Sequence, residues 1–285
     1  MSLLQVNSIT KHYPSFTLDH ISFSLEPGFI LGYIGPNGAG KTTTLDLITN
    51  LRECDEGSVT INGLSFKEDP VRYRELIGYV GDSSFFPEDF YCRDIRRILA
   101  DFYPTFSPEQ FDTLCRDWKL PQKETIKTWS RGMRVKLMFA SVLSRQTRLL
   151  VLDEATNGLD PLVRREVLAM LQNYIADGQH SVIFSTHIME DLSDISDYIF
   201  LICGGKKILF DERDELLERF VLVKGDPSDL DESVRSRLIG LEKHTYGFTA
   251  LFDADSGENL PSKDSFSFEK PTIDQLVMHL LIQNS

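Results

Sequence analysis

The sequence Gly35-Pro-Asn-Gly-Ala-Gly-Lys-Thr-Thr43 matches the pattern G-x-x-x-x-G-K-[ST] at every fixed position. An apolar, strand-like run at 29–34 leads into it, and a helical pattern with Leu45, Ile48 and Leu51 on one face follows. This strand–loop–helix context separates a phosphate-binding loop from a chance glycine-rich turn. Such a loop points successive backbone N–H groups at phosphate oxygens, and the following helix adds its positive N-terminal end.

The loop therefore predicts a site for a nucleoside triphosphate. Lys41 is expected to reach the β- and γ-phosphates, and Thr42 is expected to ligate Mg²⁺ through its hydroxyl. The residues predicted to contact the nucleotide here are Gly35, Pro36, Asn37, Gly38, Ala39, Gly40, Lys41, Thr42 and Thr43.

A second strand-like run, Arg-Leu-Leu-Val-Leu-Asp-Glu at 148–154, places two acids at the end of a buried strand. Ligand sites in open α/β sheets lie at the carboxyl ends of the strands, where the phosphate loop also lies. We predict that Asp153 holds Mg²⁺ through its water shell and that Glu154 polarises the attacking water as a general base. Two acids that merely end a strand are the simpler alternative, which the neighbouring phosphate loop disfavours.

Strand and helix patterns alternate along most of the chain, which predicts a mostly parallel α/β sheet. The buried strand patterns lie at 29–34, 77–80, 148–153, 181–185 and 198–202. The first 30 residues alternate as strands do, whereas residues from about 87 to 144 are mostly helical. After Gly204-Gly205 the sequence predicts a small α+β region, with a charged helix at 211–219, strands near 220–223 and 246–252, and a helix at 272–282.

The composition limits the classes of function. The 285 residues carry 30 Lys and Arg against 43 Asp and Glu, a formal charge of -13. Coating nucleic acid needs a net basic surface, so no nucleic-acid partner is expected. No run approaches the roughly 18 apolar residues that a membrane-spanning helix needs. The 4 cysteines are dispersed and predict neither a zinc site nor a disulfide framework, which favours reduced thiols in a cytosolic protein.

The ordered motifs over about residues 1–210 resemble the ATPase subunit of an ABC transporter. The resemblance is carried by the phosphate loop, the Leu-Asp-Glu strand end, Asn157-Gly-Leu-Asp160 and the histidine of Ser185-Thr-His. It implies a P-loop NTPase of the α/β class with a mostly parallel core sheet and an N-terminal antiparallel β subdomain. It also implies an inserted α-helical subdomain at about 83–144 and a small C-terminal α+β appendage at 211–285.

The resemblance gives three further residues a role at the nucleotide. Tyr13, in Lys11-His-Tyr-Pro14, resembles the aromatic residue that stacks on adenine. His187 resembles the switch histidine that contacts the γ-phosphate, although a histidine after a strand is often only structural. Asp160 resembles the loop aspartate that communicates across the family's dimer.

The segment Trp129-Ser-Arg-Gly-Met133 stands where the family has its Leu-Ser-Gly-Gly-Gln signature. Ser130 and Gly132 match and are expected to open a helix that faces the γ-phosphate bound to another subunit. The resemblance therefore implies a homo- or heterodimer with two Mg-ATP molecules between its subunits. It also implies a separately encoded integral-membrane permease, which would hold this cytoplasmic chain at the inner face of the cell membrane.

Two departures from the family pattern concern the rate of hydrolysis. Three of the five signature positions differ, and Asp82 stands where the family has a glutamine that senses Mg²⁺ and the attacking water. An aspartate can bind the water shell of Mg²⁺ but adds a negative charge. Asp82 is thus a candidate metal residue, and slow or partner-dependent hydrolysis is expected.

The Arg-Gly-Met signature and the short tail resemble bacterial ATPases of the bacitracin-resistance and peptide-export type, which implies an exporter. One alternative is a soluble ABC-type ATPase that acts on ribosomes or DNA. The single phosphate loop and the lack of a heptad run between it and the signature disfavour this alternative. The other is an ATP-dependent regulatory subunit with little hydrolysis, which Glu154 and His187 disfavour.

Two surface features lie between the motifs. Residues 83–106 contain seven aromatic side chains, Phe85, Phe86, Phe90, Tyr91, Phe102, Tyr103 and Phe106. Some are expected in the core of the helical subdomain, and an exposed remainder would form a groove for a permease helix. Residues 119–148 hold eight basic residues and one acid. They predict a solvated basic face or, alternatively, an Arg131 that faces nucleotide phosphates across the dimer.

Overall fold

The computed structural model describes residues 2–261 and 263–284. The helices and strands are, in chain order, β1 (Leu4–Tyr13), β2 (Phe16–Leu25), β3 (Ile30–Ile34), α1 (Lys41–Ile48), β4 (Glu56–Ile61), β5 (Leu64–Ser65), α2 (Pro70–Glu75), β6 (Ile77–Val80), α3 (Cys92–Phe102), α4 (Pro108–Asp117), α5 (Arg131–Leu143), β7 (Leu149–Asp153), α6 (Pro161–Ile175), β8 (Ser181–Ser185), α7 (Met189–Ile195), β9 (Tyr198–Cys203), β10 (Lys206–Glu212), α8 (Arg213–Arg219), β11 (Phe220–Gly225), α9 (Glu232–Arg235), β12 (Leu238–His244), β13 (Gly247–Asp253), β14 (Ser267–Glu269) and α10 (Ile273–Gln283).

The core sheet has the strand order β10-β9-β3-β8-β7-β6. Every neighbouring pair is parallel except β9 with β10. Every residue of β3, β7 and β8 is buried, as expected for parallel strands covered on both faces. The predicted mostly parallel α/β sheet is therefore confirmed.

The N-terminal strands form a separate antiparallel sheet in the order β2-β1-β4-β5. Its apolar face packs on the core sheet through a cluster that includes Leu4, Ile9, Tyr33 and Phe200. The inserted helices α3, α4 and the start of α5 share another cluster, built around Ile95, Phe111 and Trp129 among others. The antiparallel β subdomain and the inserted helical subdomain thus match the sequence-based expectation.

The C-terminal residues form a four-stranded antiparallel sheet, β12-β13-β11-β14, together with α10. A capping box at Thr272 and Gln275 begins α10. Its apolar residues Ile273, Leu276 and Leu280 join the same hydrophobic cluster as the helices of the core. The C-terminal helix is therefore packed on the core sheet's helical layer, in line with the predicted α+β appendage.

Two local expectations were wrong, and one strand was not expected. Leu51 lies beyond α1 and is exposed, because the helix ends at Ile48 and Asn50 adopts a left-handed φ of 54°. The charged helix starts at Arg213 rather than 211, since the preceding residues pair with β9 as strand β10. Strand β12 was not predicted at all. Among the residues described, no helix is long and apolar enough to cross a bilayer.

Candidate functional site

The sheet order brings the sequence motifs together. Strand β8 lies between β3 and β7, and β6 follows β7 at the edge. The register aligns Tyr33 with Ser185 and Ser185 with Asp153, so these three strands end at nearly the same level. The loops after β3, β7 and β8 consequently meet at one edge of the sheet, where ligands of open α/β sheets bind.

The phosphate loop depends on its glycines. Gly38 and Gly40 have φ values of 78° and 109°, a region that side chains other than glycine rarely enter. A Cβ on Gly40 would lie 2.9 Å from Cζ of Phe16, and a Cβ on Gly35 would lie 2.3 Å from the carbonyl oxygen of Ile202. The loop therefore curls tightly against its neighbours and leads directly into α1.

Lys41 is the first residue of α1 and is buried. Its Nζ donates hydrogen bonds to the carbonyl oxygens of Gly35 at 2.8 Å and Pro36 at 3.2 Å. Burial lowers the pKa of Lys41, whereas the charges of Glu154 and Asp153 oppose that shift. The ammonium group is thus held inside the loop by acceptors that an anionic phosphate could replace.

The next residue links the phosphate loop to the acidic strand end. The hydroxyl of Thr42 donates a 2.8 Å hydrogen bond to Oδ2 of Asp153. The other carboxylate oxygen, Oδ1, is buried and accepts no hydrogen bond of normal geometry from the described residues. Burial raises the pKa of Asp153, and the charge of Glu154 adds to this, while the bond from Thr42 opposes it. An oxygen in this state is suited to a cation or its water shell.

Glu154 is held in an unusual conformation with φ of 53°. Its backbone N–H donates to the carbonyl oxygen of Ser185, and its Oε2 accepts a 2.6 Å hydrogen bond from Nδ2 of Asn157. Its two carboxylate oxygens lie 4.0 Å from Nζ of Lys41 and 3.9 Å from Nδ1 of His187. Residues from the ends of three neighbouring strands therefore meet at one partly exposed carboxylate, and a strained residue at such a point is typical of a functional site.

A cavity of about 490 Å³ lies over the phosphate loop. Besides loop residues it is lined by Ser15, Phe16 and Glu154. Tyr13, the predicted adenine-stacking residue, is not among the lining residues, but its ring centroid lies 6.3 Å from that of Phe16, which is. The rings of Tyr13 and Phe16 therefore lie close together, and Phe16 contacts the cavity over the phosphate loop.

The signature residues and Asp160 lie at the N-termini of two helices. Ser130 caps α5 by accepting a hydrogen bond from the Met133 N–H, and Asp160 caps α6 by accepting from the Leu162 N–H. Gly132 allows the two helix starts to pack closely, since a Cβ there would lie 3.2 Å from Val163. None of these capping residues is among the residues lining the cavity over the phosphate loop.

Asp82 is placed by the loop after β6, and its carboxylate forms an ion pair with the guanidinium of Arg131 at the start of α5. From the sequence, Asp82 is expected to be a metal residue and Arg131 a surface cation or a phosphate contact, with no link between them. The structure brings them into direct contact.

The aromatic side chains of residues 83–106 differ in exposure, and several basic residues of 119–148 are paired with acids. Phe106 is buried, Phe86 is half-buried against two core clusters, and Phe85 and Phe102 are exposed. Of the basic residues, Arg134 pairs with Glu88 at 3.2 Å and Lys136 with Glu166 at 2.5 Å. The basic run is therefore partly neutralised by acids from other elements.

Two residues of the site were not assigned a role from the sequence. Asn157 contacts Glu154, and its position three residues further on is a signal that could have indicated this contact. Phe16 begins β2, on the far side of the turn after Tyr13, and it reaches the phosphate loop only because β1 and β2 form a hairpin. No spacing rule in the sequence connects Phe16 with Gly40.

The phosphate loop after β3 and the acidic end of β7 beside it define a P-loop nucleotide-binding protein. The model of the ABC transporter family matches residues 18–157. The chain is 30% identical over 236 residues to the ABC-type transporter ATP-binding protein EcsA of Bacillus subtilis (strain 168), covering 81% of this chain and 95% of that protein. It belongs to the ATP-binding proteins of the ABC transporter family.

Two further similarities agree with this family assignment. The chain is 27% identical to the bacitracin transport ATP-binding protein BcrA of Bacillus licheniformis, over 72% of this chain and 68% of that protein. A solved structure of an ATP binding subunit of an ABC transporter superposes with a TM-score of 0.70 at 25% identity, covering 76% of this chain and 92% of that one. The family and the P-loop fold predicted from the sequence are confirmed.

Proposed function

We propose that this chain hydrolyses ATP, dimerises around two Mg-ATP molecules and drives a separately encoded membrane permease in the direction of export. The observation that carries the proposal is the approach of Lys41 and His187 to the Glu154 carboxylate, with Nζ of Lys41 at 4.0 Å and Nδ1 of His187 at 3.9 Å. Phosphoryl transfer to water needs a cation that binds phosphate and a base that accepts the proton of the water. Lys41 and the Glu154 carboxylate can supply these, and His187 adds a second polar group.

ATP binding is assigned to the phosphate loop. The backbone N–H groups of the loop and the N-terminus of α1 receive the phosphates. Lys41 exchanges the carbonyl oxygens of Gly35 and Pro36 for the β- and γ-phosphates. The adenine stacks on Tyr13, with Phe16 beside it.

Mg²⁺ fits the pair formed by Thr42 and Asp153. A hydroxyl and a carboxylate are hard oxygen donors of the kind that Mg²⁺ prefers, and Oδ1 of Asp153, which has no hydrogen-bond partner of normal geometry among the described residues, is available to its water shell. When bound, the ion neutralises charge on the β- and γ-phosphates. Asp82 is a further proposed contact to that water shell.

Hydrolysis is assigned to Glu154 as the general base. The water oxygen forms a bond to the γ-phosphorus, its proton passes to Glu154, and the bond from phosphorus to the bridging oxygen of ADP breaks. Asn157 keeps the carboxylate in place through its 2.6 Å hydrogen bond. His187 contacts the γ-phosphate and orients it toward the water. The products are ADP and phosphate.

The dimer supplies the signature residues to the opposite nucleotide. Ser130 and Gly132 stand at the N-terminus of a 13-residue helix, a position that favours phosphate binding. Because they do not line the cavity over their own phosphate loop, they serve a nucleotide held by a second subunit. Asp160, at the start of the adjacent helix, is proposed to contact that subunit.

The permease is proposed to dock between the core sheet and the helical subdomain. Exposed Phe85 and Leu51 line a cavity of about 210 Å³ there, and exposed Phe102 lies at the end of the adjacent α3. Exposed aromatic and aliphatic side chains beside a cavity are suited to an amphipathic helix. The name of the bacitracin transport relative supports a transport role. The chain would then lie on the cytoplasmic face of the membrane.

The proposal is tested by identifying the genes adjacent to that of this chain and co-expressing the chain with any membrane protein of about six spanning segments that they encode. Affinity purification of the tagged chain is expected to retain the membrane protein, and ATP hydrolysis by the complex is expected to exceed that of the chain alone. A chain that hydrolyses ATP but retains no membrane protein would instead support a soluble ATPase.

A further inference from the structure

Asp82 and Arg131 stand at positions where the family resemblance implies uncharged residues, and their side chains form an ion pair. Asp82 follows edge strand β6, whereas Arg131 is the first residue of α5. They are 49 residues apart in the chain. The two residues therefore form one structural unit although they lie in separate motifs.

The position of Arg131 explains why it needs a carboxylate. The N-terminus of a helix carries partial positive charge, so a cation in the first turn is unfavourable and an acid nearby is favourable. Asp82 supplies that acid from outside the helix. The side chains remain 58% exposed for Asp82 and 42% for Arg131, so the pair contributes little to folding stability.

Arg131 also reaches the loop that carries the catalytic carboxylate. A Cβ on Gly158 would lie 3.7 Å from Nε and 3.9 Å from Cζ of Arg131, and Gly158 has a left-handed φ of 63°. Gly158 directly follows Asn157, which hydrogen-bonds Glu154. The guanidinium thus lies against the loop after β7 while paired to the loop after β6.

We infer that Asp82 and Arg131 act as a positioning pair that fixes the start of the signature helix relative to the hydrolytic loop of the same subunit. The pair couples the subunit's own nucleotide site to the signature it presents to its partner. This inference rests on the proposed function, because it assumes a dimer with ATP between the subunits. It gives Asp82 a role through Arg131 that is separate from binding Mg²⁺.

The test is a double-mutant cycle in the Glu154→Gln background, in which ATP is bound but not consumed. Asp82→Asn, Arg131→Gln and the double variant are compared by the ATP-driven dimerisation constant, measured by sedimentation. Each single change is expected to weaken the dimer by about tenfold, and the double change by about the same tenfold rather than a hundredfold. Thermal midpoints are expected to move by less than about 3 °C.

The matched control is the pair formed by Arg134, which lies on the same helix as Arg131, and Glu88, which lies in the loop between β6 and α3. Glu88→Gln and Arg134→Gln are expected to leave the dimerisation constant unchanged within about twofold. The conservative change Asp82→Glu is expected to recover most of the wild-type value, since it restores a carboxylate for Arg131.

Other outcomes would overturn the inference in distinguishable ways. Additive effects of Asp82→Asn and Arg131→Gln would show that the residues act independently. If Asp82→Asn raises the Mg²⁺ concentration that dimerisation requires and Arg131→Gln leaves the dimerisation constant unchanged, Asp82 is a metal residue only. If the Glu154→Gln parent does not dimerise with ATP at all, the proposed function fails before the pair is tested.

Discussion

Nδ2 of Asn157 donates a 2.6 Å hydrogen bond to Oε2 of Glu154. The bond spans three residues of a tight loop whose first member has φ of 53°. It fixes the direction of a carboxylate that is only partly buried and would otherwise sample several rotamers. The loop after β7 therefore both carries the proposed base and orients it.

Replacing this amide is expected to reduce turnover more than substrate affinity. Asn157→Ala frees the Glu154 carboxylate, and a misplaced base is expected to lower kcat by about 10- to 100-fold with KM within about threefold of wild type. Steady-state phosphate release measures both constants. Asn173→Ala, on the exposed side of α6, is the matched control and is expected to leave them unchanged. Equal loss in both variants would contradict the assigned role.

Asp153 is expected to lower the stability of the nucleotide-free protein at neutral pH. Burial raises its pKa, so the folded chain binds its proton more tightly than the unfolded chain does. This difference in pKa leaves the free energy of unfolding unchanged below the unfolded pKa near 4. It lowers the free energy of unfolding as the pH rises through the folded pKa. Asp153→Asn is therefore expected to raise Tm by about 2–4 °C at pH 7.5, with a gain that shrinks toward pH 4.

Thermal melts of both proteins between pH 4 and 8, without nucleotide or Mg²⁺, measure this difference. The same variant is expected to lose Mg²⁺-dependent ATPase activity, because the amide replaces a carboxylate beside Thr42. A variant that is less stable than wild type at every pH would show that the carboxylate contributes more through its hydrogen bond than its burial costs.

The C-terminal helix is expected to stabilise the whole fold. Leu276 is completely buried in the cluster shared with the helices of the core, and Leu276→Ala is expected to cost about 2–5 kcal/mol in the free energy of unfolding. Met278→Ala on the exposed side of the same helix is expected to cost less than about 0.5 kcal/mol. Urea unfolding compares them. Equal, small losses would mean that α10 is not part of the cooperative core.

Association with the permease is expected to depend on Phe85, and Phe268 is the control. Phe85 is 56% exposed beside the cavity between the core and the helical subdomain, and Phe268 is 54% exposed on the C-terminal sheet. Phe85→Ala is expected to weaken association with the permease by at least about tenfold, as for an aromatic anchor. Phe268→Ala is expected to have no effect. ATP binding by both variants should be that of wild type, and co-purification in detergent reads out the difference.

The sequence was sufficient to predict the phosphate loop, the acidic strand end and the family. These are local signals, since the residue types of the loop and of the buried strand before it follow one another within a single strand–loop–helix stretch of sequence. The parallel sheet followed from alternation of buried strands and helices. Lys41, Asp153 and Glu154 can accordingly be predicted as site residues from these signals alone.

Contacts between distant segments could not be predicted in the same way. Asp82 and Arg131 stand on different elements, and only the packing of α5 against β6 brings them together. Phe16 reaches the phosphate loop through the β1–β2 hairpin, which no spacing rule connects to Gly40. Strand β10 was missed because the charged residues at its end are typical of a helix start, although pairing with β9 decides their conformation.

The central claim is that Glu154 is the base that activates water for ATP hydrolysis. Single-turnover cleavage of radiolabelled ATP, with enzyme in excess and Mg²⁺ present, tests it most directly. Wild type is expected to cleave the bound ATP. Glu154→Gln is predicted to bind ATP with similar affinity but to cleave it about 10²–10⁴-fold more slowly. Equal cleavage rates in the two proteins, or no cleavage by wild type alone and with its permease, would contradict it.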